Sequence, residues 1–333
     1  MTKRIIALAH DPGGANAIAV SVSTLRSAGF TVDAFAIGPA VRQFKRLDVP
    51  CNEIGSIEIL KAEISNCGLL IVGTSALDRS EVLLSEIAQR QGVPVLAILD
   101  YWANYRKRFS LVRDNQEHFI LPDLITALDN ACASEMVVDG IPESRIVITG
   151  QPYFGWLCNH TIRNMAYQEE KDCILFASEP HPAAKSVLKI FIKVMQLQKT
   201  QKKILIRFHP RQKDCLDSLA MLDNAGLDFT VDHSEDLFAT LRNCDFVIGL
   251  TSIILIEAAL LGIPAGSLLP PPWANPLRTN LSGLTTPLQN VHELNEFLKR
   301  SYINAEREKF QCEHAESQEN ILKICKKLYI RIV

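Results

Sequence analysis

The sequence lacks the marks of several protein classes. It has no apolar run of about eighteen residues, so no membrane-spanning helix is expected. The start, Met1-Thr2-Lys3-Arg4-Ile5-Ile6-Ala7-Leu8-Ala9-His10-Asp11, enters an apolar run of strand length. That run is too short for the hydrophobic region of a secretory signal and no small-residue cleavage site follows it, so a cytoplasmic location is expected. Net charge is only −2, without the basic excess that a large nucleic-acid footprint needs, so no nucleic-acid partner is expected. The nine cysteines are odd in number, form no Cys-x-x-Cys pair and sit mostly among apolar residues. They read as free thiols in a reducing compartment, not as a disulfide framework or a zinc site. No fixed-period repeat, no low-complexity segment and no Gly-x-Gly-x-x-Gly dinucleotide fingerprint is present.

What is there is an ordinary globular composition, 47% hydrophobic and 22% charged over 333 residues. A chain of that length is expected to form two domains of about 150 residues each. Short apolar, β-branched runs alternate with helical patterns. Residues 5–9, 31–37, 69–72, 94–99, 124–127 and 146–149 read as strands. Residues 15–28, ended by Gly29, and 81–91 read as helices between them. A more polar stretch without strand signal follows to about Lys171. A second series then begins, with strands over 173–176, 203–208, 229–231, 245–248 and 265–268 and helices over 183–196 and 252–261. The tail 292–330 is helical and charged. Repeated strand–helix alternation with short links predicts parallel sheets with helices on both faces.

In such sheets, ligands sit at the carboxyl ends of the strands. The first strand ends in His10-Asp11-Pro12-Gly13-Gly14. His10 and Asp11 are both candidate general bases, the imidazole because it changes charge near neutrality. Gly13 and Gly14 let the backbone approach an anion at the start of the next helix. The run Asp100-Tyr101-Trp102-Ala103-Asn104-Tyr105-Arg106-Lys107-Arg108-Phe109 follows another strand directly. Its aromatic faces suit a sugar or a base, Asp100 and Asn104 suit hydroxyls, and Arg106 and Arg108 suit a phosphate or an anionic acceptor. The same two cations, with Lys107, are a candidate contact for an anionic membrane surface. In the second series Ser178, His209 and Arg211 stand at strand ends. Thr251 and Ser252 open a helix whose amides face an anion, and Glu257 lies farther along it in a strongly apolar setting.

Three segments resemble a known superfamily. Thr149-Gly150-Gln151-Pro152-Tyr153-Phe154 looks like the interdomain crossing of the two-domain GT-B glycosyltransferases. Arg207-Phe208-His209-Pro210 looks like the His-Pro element of several nucleotide-using members. Residues 244–264 look like the helix unit that contacts the donor nucleotide. On these residues the chain resembles the GT-B superfamily of bacterial surface-polysaccharide type, with the nucleotide-sugar 2-epimerases and CDP-glycerol glycerophosphotransferases as relatives.

The resemblance implies an α/β protein of two Rossmann-like domains facing across a cleft. Residues 1–150 would form the acceptor and catalytic domain, 151–171 a linker, and 172–310 the nucleotide-binding domain. Residues 311–333 would form a C-terminal helix returning to the first domain. It further implies a glycosyltransferase moving a sugar from a UDP- or CMP-linked donor to the hydroxyl of a glycan or small-molecule acceptor. No metal or other cofactor enters this scheme. Ser178, His209, Arg211, Thr251, Ser252 and Glu257 fall on the donor side; His10, Asp11 and Asp100 are candidates for the base, with Gly13, Gly14, Asn104, Arg106 and Arg108 near the acceptor. The 2-epimerase pattern has a doubled glycine where this chain has Ile253-Ile254. Epimerisation or hydrolysis of a nucleotide-sugar, a non-catalytic binding role and a homodimeric state stay open at this point.

Overall fold

The computed structural model describes residues 4–164, 172–199, 201–209, 212, 215–273, 277–299 and 305–330. The chain divides into two compact units: Met1–Asn159 with Cys312–Val333, and His160–Gln311.

In the first unit the order is β1 (Arg4–Ala9), α1 (Pro12–Ser27), β2 (Val32–Ala36), α2 (Ala40–Arg46), β3 (Asn52–Glu53), β4 (Cys67–Val72), α3 (Ser80–Arg90), β5 (Val95–Ile98) and α4 (Tyr105–Arg108). The hairpin β6 (Ser110–Arg113) and β7 (Gln116–Phe119) follows, then β8 (Leu124–Ala127), α5 (Asn130–Val138), β9 (Ile146–Ile148) and α6 (Pro152–Asn164). The sheet is parallel, in the order β3-β2-β1-β4-β5-β8-β9. Every residue of β4 is buried, as is β1 from Ile5 onward, because helices cover both faces of a parallel sheet.

The second unit runs β10 (Cys173–Ser178), α7 (Ala184–Gln198), β11 (Lys203–Phe208), α8 (Cys215–Asn224), β12 (Phe229–Val231), α9 (Leu237–Arg242), β13 (Cys244–Gly249), α10 (Ile253–Leu260), β14 (Ala265–Leu268), β15 (Thr286–Leu288) and α11 (Val291–Phe297). Its sheet is also parallel, ordered β12-β11-β10-β13-β14-β15. α7 buries one stripe, Val187, Leu188, Phe191, Ile192, Val194 and Met195, which joins Ile174, Phe176, Ile204 and Ile248 of the strands in the core. α12 (Ala305–Ala315) and α13 (Ser317–Ile330) end the chain. Ile321, Cys325 and Leu328 of α13 belong to the core of the first unit, with Ile5, Ala7 and Ile18.

Each sheet reverses its winding once, between β1 and β4 in the first unit and between β10 and β13 in the second. Strand order reversal leaves a crevice at the carboxyl ends of the two strands concerned. No helix among the described residues is long and apolar enough to cross a membrane.

Candidate functional site

At the β1/β4 reversal, Asp11 holds the N-cap position of α1 in extended backbone, with Pro12 in the first turn. Its side chain makes no capping bond to the helix. The carboxylate turns to other partners instead. Its Oδ1 lies 2.9 Å from His10 Nδ1 and its Oδ2 accepts from Ser75 Oγ at 2.8 Å. Ser75 Oγ itself accepts from the backbone N–H groups of Leu77 (3.2 Å) and Asp78 (2.9 Å). Its one hydrogen is therefore committed to Asp11. On the other side of the imidazole, His10 Nε2 lies 3.5 Å from Asp78 Oδ2. The side chains of His10 and Asp11 keep 21% and 33% of their surface exposed, so a ligand reaches both.

Beneath them lies Glu81, from the first turn of α3, with only 3% of its surface exposed. Its Oε1 accepts from the backbone N–H of His10 at 3.0 Å and its Oε2 from that of Ser75 at 2.6 Å. The close fit depends on Gly73, where a Cβ would stand 2.4 Å from Glu81 Oε1. Burial pushes the Glu81 carboxyl up to about 8; its two N–H partners act against that, and the charges of Asp11 and Asp100 add to it.

Asp100 follows β5 and is fixed by Arg108. Arg108 is buried and donates to Asp100 Oδ1 at 2.7 Å, to Thr74 Oγ1 at 2.9 Å and to the carbonyl of Ala103 at 2.7 Å. The other oxygen of Asp100 faces Gly13, where a Cβ would come within 2.0 Å of it. The anion at the start of α1 is thus the protein's own carboxylate, placed where the helix dipole favours it. A Cβ on Gly14 would stand 3.5 Å from Gly73 Cα, so the two glycines bring the strand ends together.

The remaining polar candidates of this unit lie elsewhere. Asn104 is exposed in the left-handed region at φ 60, ahead of α4. It lines a cavity of about 380 Å³ with Tyr105, Ser134, Glu135, Val138 and Asp139, which contains none of the His10–Asp11 group. Arg106 is exposed, paired with Glu117 at 2.8 Å and set over the Phe119 ring. Trp102 and Tyr105 are buried, donating to Asp129 (2.6 Å) and Glu135 (2.7 Å).

In the second unit, Ser178 ends β10 and its carbonyl accepts from the backbone N–H of His209 at 3.0 Å. That places the half-buried His209 beside the β10/β13 reversal. Ser252 is the N-cap of α10, its hydroxyl accepting from Ile254 N at 3.4 Å. Thr251 is held by Glu179, whose Oε1 accepts from both its N–H, at 3.2 Å, and its hydroxyl. Burial raises the Glu179 carboxyl above its ordinary value, and the Thr251 bonds and His181 oppose this. Glu257 lies farther along α10 with 1% exposure, flanked by Ile256 and Ala258. Arg207, next to the His-Pro element, pairs with Asp232 at 2.5 Å. Arg211 lies outside the described residues. Among the described residues, no group of three or more His, Cys, Asp or Glu side chains is arranged to hold a metal ion.

Glu81, Ser75 and Glu179 are absent from the sequence expectations. For Glu81 a signal exists: residues 81, 84, 85 and 88 form one helical stripe, and Glu81 shares it with buried Leu84, Ser85 and Ala88.

Comparison with known proteins gives the fold. The UDP-GlcNAc 2-epimerase of Methanocaldococcus jannaschii superposes with a TM-score of 0.70 at 14% identity, covering 97% of this chain and 99% of that one. The Neisseria meningitidis UDP-GlcNAc 2-epimerase, solved with UDP-GlcNAc, gives 0.66 at 12% identity, covering 97% and 100%. The fold is GT-B. Anabaena HepE, solved in complex with UDP, superposes with a TM-score of 0.58 at 14% identity, covering 98% of this chain and 95% of that one. A family model described as a protein of unknown function, DUF354, matches residues 146–277 of this GT-B chain. No curated protein sequence matches it.

Proposed function

We propose that this chain is an enzyme acting on a nucleotide-sugar. The second unit binds the nucleotide at the β10/β13 strand ends, and the His10–Asp11 pair of the first unit moves the proton. The observation that carries the reading is the arrangement of Asp11. It occupies a cap position without capping, and both oxygens are engaged by the side chains of His10 and Ser75. With the Nδ1 hydrogen donated to Asp11, Nε2 of His10 is the proton-accepting nitrogen, 3.5 Å from Asp78 Oδ2. A base oriented by a fixed carboxylate is an arrangement suited to general-base catalysis. Nε2 would take the proton of an acceptor hydroxyl as the sugar leaves the nucleotide. Ser178, His209, Arg211, Thr251, Ser252 and Glu257 would hold the donor, with UDP favoured because HepE and the Neisseria epimerase were solved with UDP or a UDP-sugar.

A second reaction on the same reading is 2-epimerisation or hydrolysis, favoured by a likeness to 2-epimerases that covers nearly the full length of both chains. One experiment separates them. The protein is incubated in EDTA with a panel of UDP-, CMP- and GDP-sugars, with and without carbohydrate acceptors, and products are followed by NMR. Nucleotide release that depends on acceptor marks transfer. Change at the sugar C2 with water alone marks epimerisation. If no nucleotide or nucleotide-sugar raises the thermal midpoint and none is consumed, the proposal fails.

A further inference from the structure

We propose that Glu81 is the positioning residue of the His10–Asp11 pair. The inference rests on the reading of that pair as the proton-transfer group, and it concerns a residue that never meets the substrate.

Four hydrogen-bonded contacts close a ring. Glu81 holds the backbone N–H of His10 with one oxygen and that of Ser75 with the other, at 3.0 and 2.6 Å. The side chains of those same two residues hold the two oxygens of Asp11, at 2.9 and 2.8 Å. His10 follows β1 and Ser75 follows β4 by a short link, so Glu81 ties together the two strand ends that flank the winding reversal. The orientation of Asp11, and through it the ring plane of His10, is set from below by one buried carboxyl group. Gly73 leaves the room it needs. A helix-capping role does not account for this: the partners of Glu81 lie outside its own helix, across the sheet end. Simple burial of an acid does not account for it either, since an unpaired carboxyl at 3% exposure is costly and this one is matched donor for acceptor.

Glutamine is the discriminating substitution. It has the shape of glutamate but offers one acceptor oxygen and one donor NH2, so in Glu81→Gln either His10 N–H or Ser75 N–H faces a donor. The ring opens at one point without a cavity. The test compares wild type, Glu81→Gln and Glu81→Asp by two measurements. The first is turnover of whichever nucleotide-sugar the wild type consumes, across pH. The expected result is a fall in kcat of about 10- to 100-fold, with the nucleotide-sugar KM changed by less than about threefold and the limb of the pH profile assigned to His10 displaced. The second needs no substrate. Long-range 1H–15N spectra read the tautomer and titration midpoint of His10, assigned with His10→Asn. The expected result is loss of the single Nδ1–H form and a shifted midpoint in Glu81→Gln.

A folded Glu81→Gln with the wild-type His10 spectrum and kcat overturns the proposal. So does failure of both Glu81→Gln and Glu81→Asp to fold, which makes Glu81 a folding residue only. If the wild type consumes no nucleotide-sugar, the functional reading fails, and the His10 spectra still decide whether Glu81 sets the pair.

Discussion

The two units solve the same topological problem with different chemistry. In each, a parallel sheet reverses its winding, and a buried glutamate bridges the two strand ends at the reversal. In the first unit, Glu81 reaches in from α3 and takes two backbone N–H groups, leaving Asp11, His10 and Asp100 above it. In the second, Glu179 comes directly after β10 and takes the N–H and hydroxyl of Thr251, with hydroxyls and His209 around it. The first rim is rich in groups that accept and release protons; the second is rich in hydroxyls and helix-end amides. A strand-end crevice is therefore a placement device, and the residues at its rim decide whether it moves protons or holds a ligand.

The comparison breaks most visibly at the dyad. His10→Ala or Asp11→Ala is expected to lower nucleotide-sugar turnover by about 10²- to 10⁴-fold, while UDP affinity, measured by calorimetry, stays at the wild-type value. Loss of UDP binding in either variant would dissolve the division of labour. Next in size is the second bridge. Thr251→Val leaves Glu179 with one of its two donors and is expected to lower stability by about 1–3 kcal/mol in denaturant unfolding. It should also weaken UDP binding and leave the His10 titration unchanged. An altered His10 spectrum would contradict the separation.

The pH dependence of stability sharpens the contrast, because the first unit holds a buried imidazole and a buried carboxyl that are both strongly shifted. His314, fully buried, accepts from Gln151 N–H on its Nδ1 at 3.0 Å, and burial depresses it to about 4. Its folded pKa lies below the ordinary 6.5, so the unfolded chain binds the proton first. Its contribution is present above pH 6.5 and is lost as pH falls through about 4. Glu81 runs the other way. Raised from 4.5 to about 8, it favours the folded state fully below 4.5, and that preference is lost as pH rises through 8. Stability measured against pH should lose its acid slope in His314→Gln and its alkaline slope in Glu81→Gln. The smallest effect is expected at the exposed Arg106–Glu117 pair, where Arg106→Ala should leave the thermal midpoint and UDP binding unchanged.

The parts of this picture that depend on local pattern are legible in the residues. Apolar runs at 124–127, 203–208, 229–231 and 265–268 are strands with those bounds; burial on both faces accounts for 265–268 and most of 124–127, while 203–208 is only partly buried and the edge strand 229–231 has no fully buried residue. The strand-end positions of His10, Asp11, Thr251 and Ser252 follow from where such runs stop. The hairpin of β6 and β7 escapes that reading because its second strand is largely exposed and lacks an apolar face. Its turn, Asp114-Asn115 with φ of 51 and 59, carries the signal that the runs do not. Glu81 escapes for a different reason. An acid in the first turn of an amphipathic helix ordinarily faces water, and its partners, His10 and Ser75, are remote or polar residues that no local pattern connects. Arg108 and Asp100 lie close in sequence, but nothing in the run of bases marks which guanidinium turns inward.

The path of the chain through the two units has a consequence for synthesis. Core residues of the second unit lie between Ile174 and Leu298, whereas the first unit's core also draws on Ile321, Cys325 and Leu328. A ribosome releases every strand of the second unit before it makes the helix that covers α1 of the first. The second unit is therefore equipped to fold while translation continues, and the first, though begun earlier, is finished last.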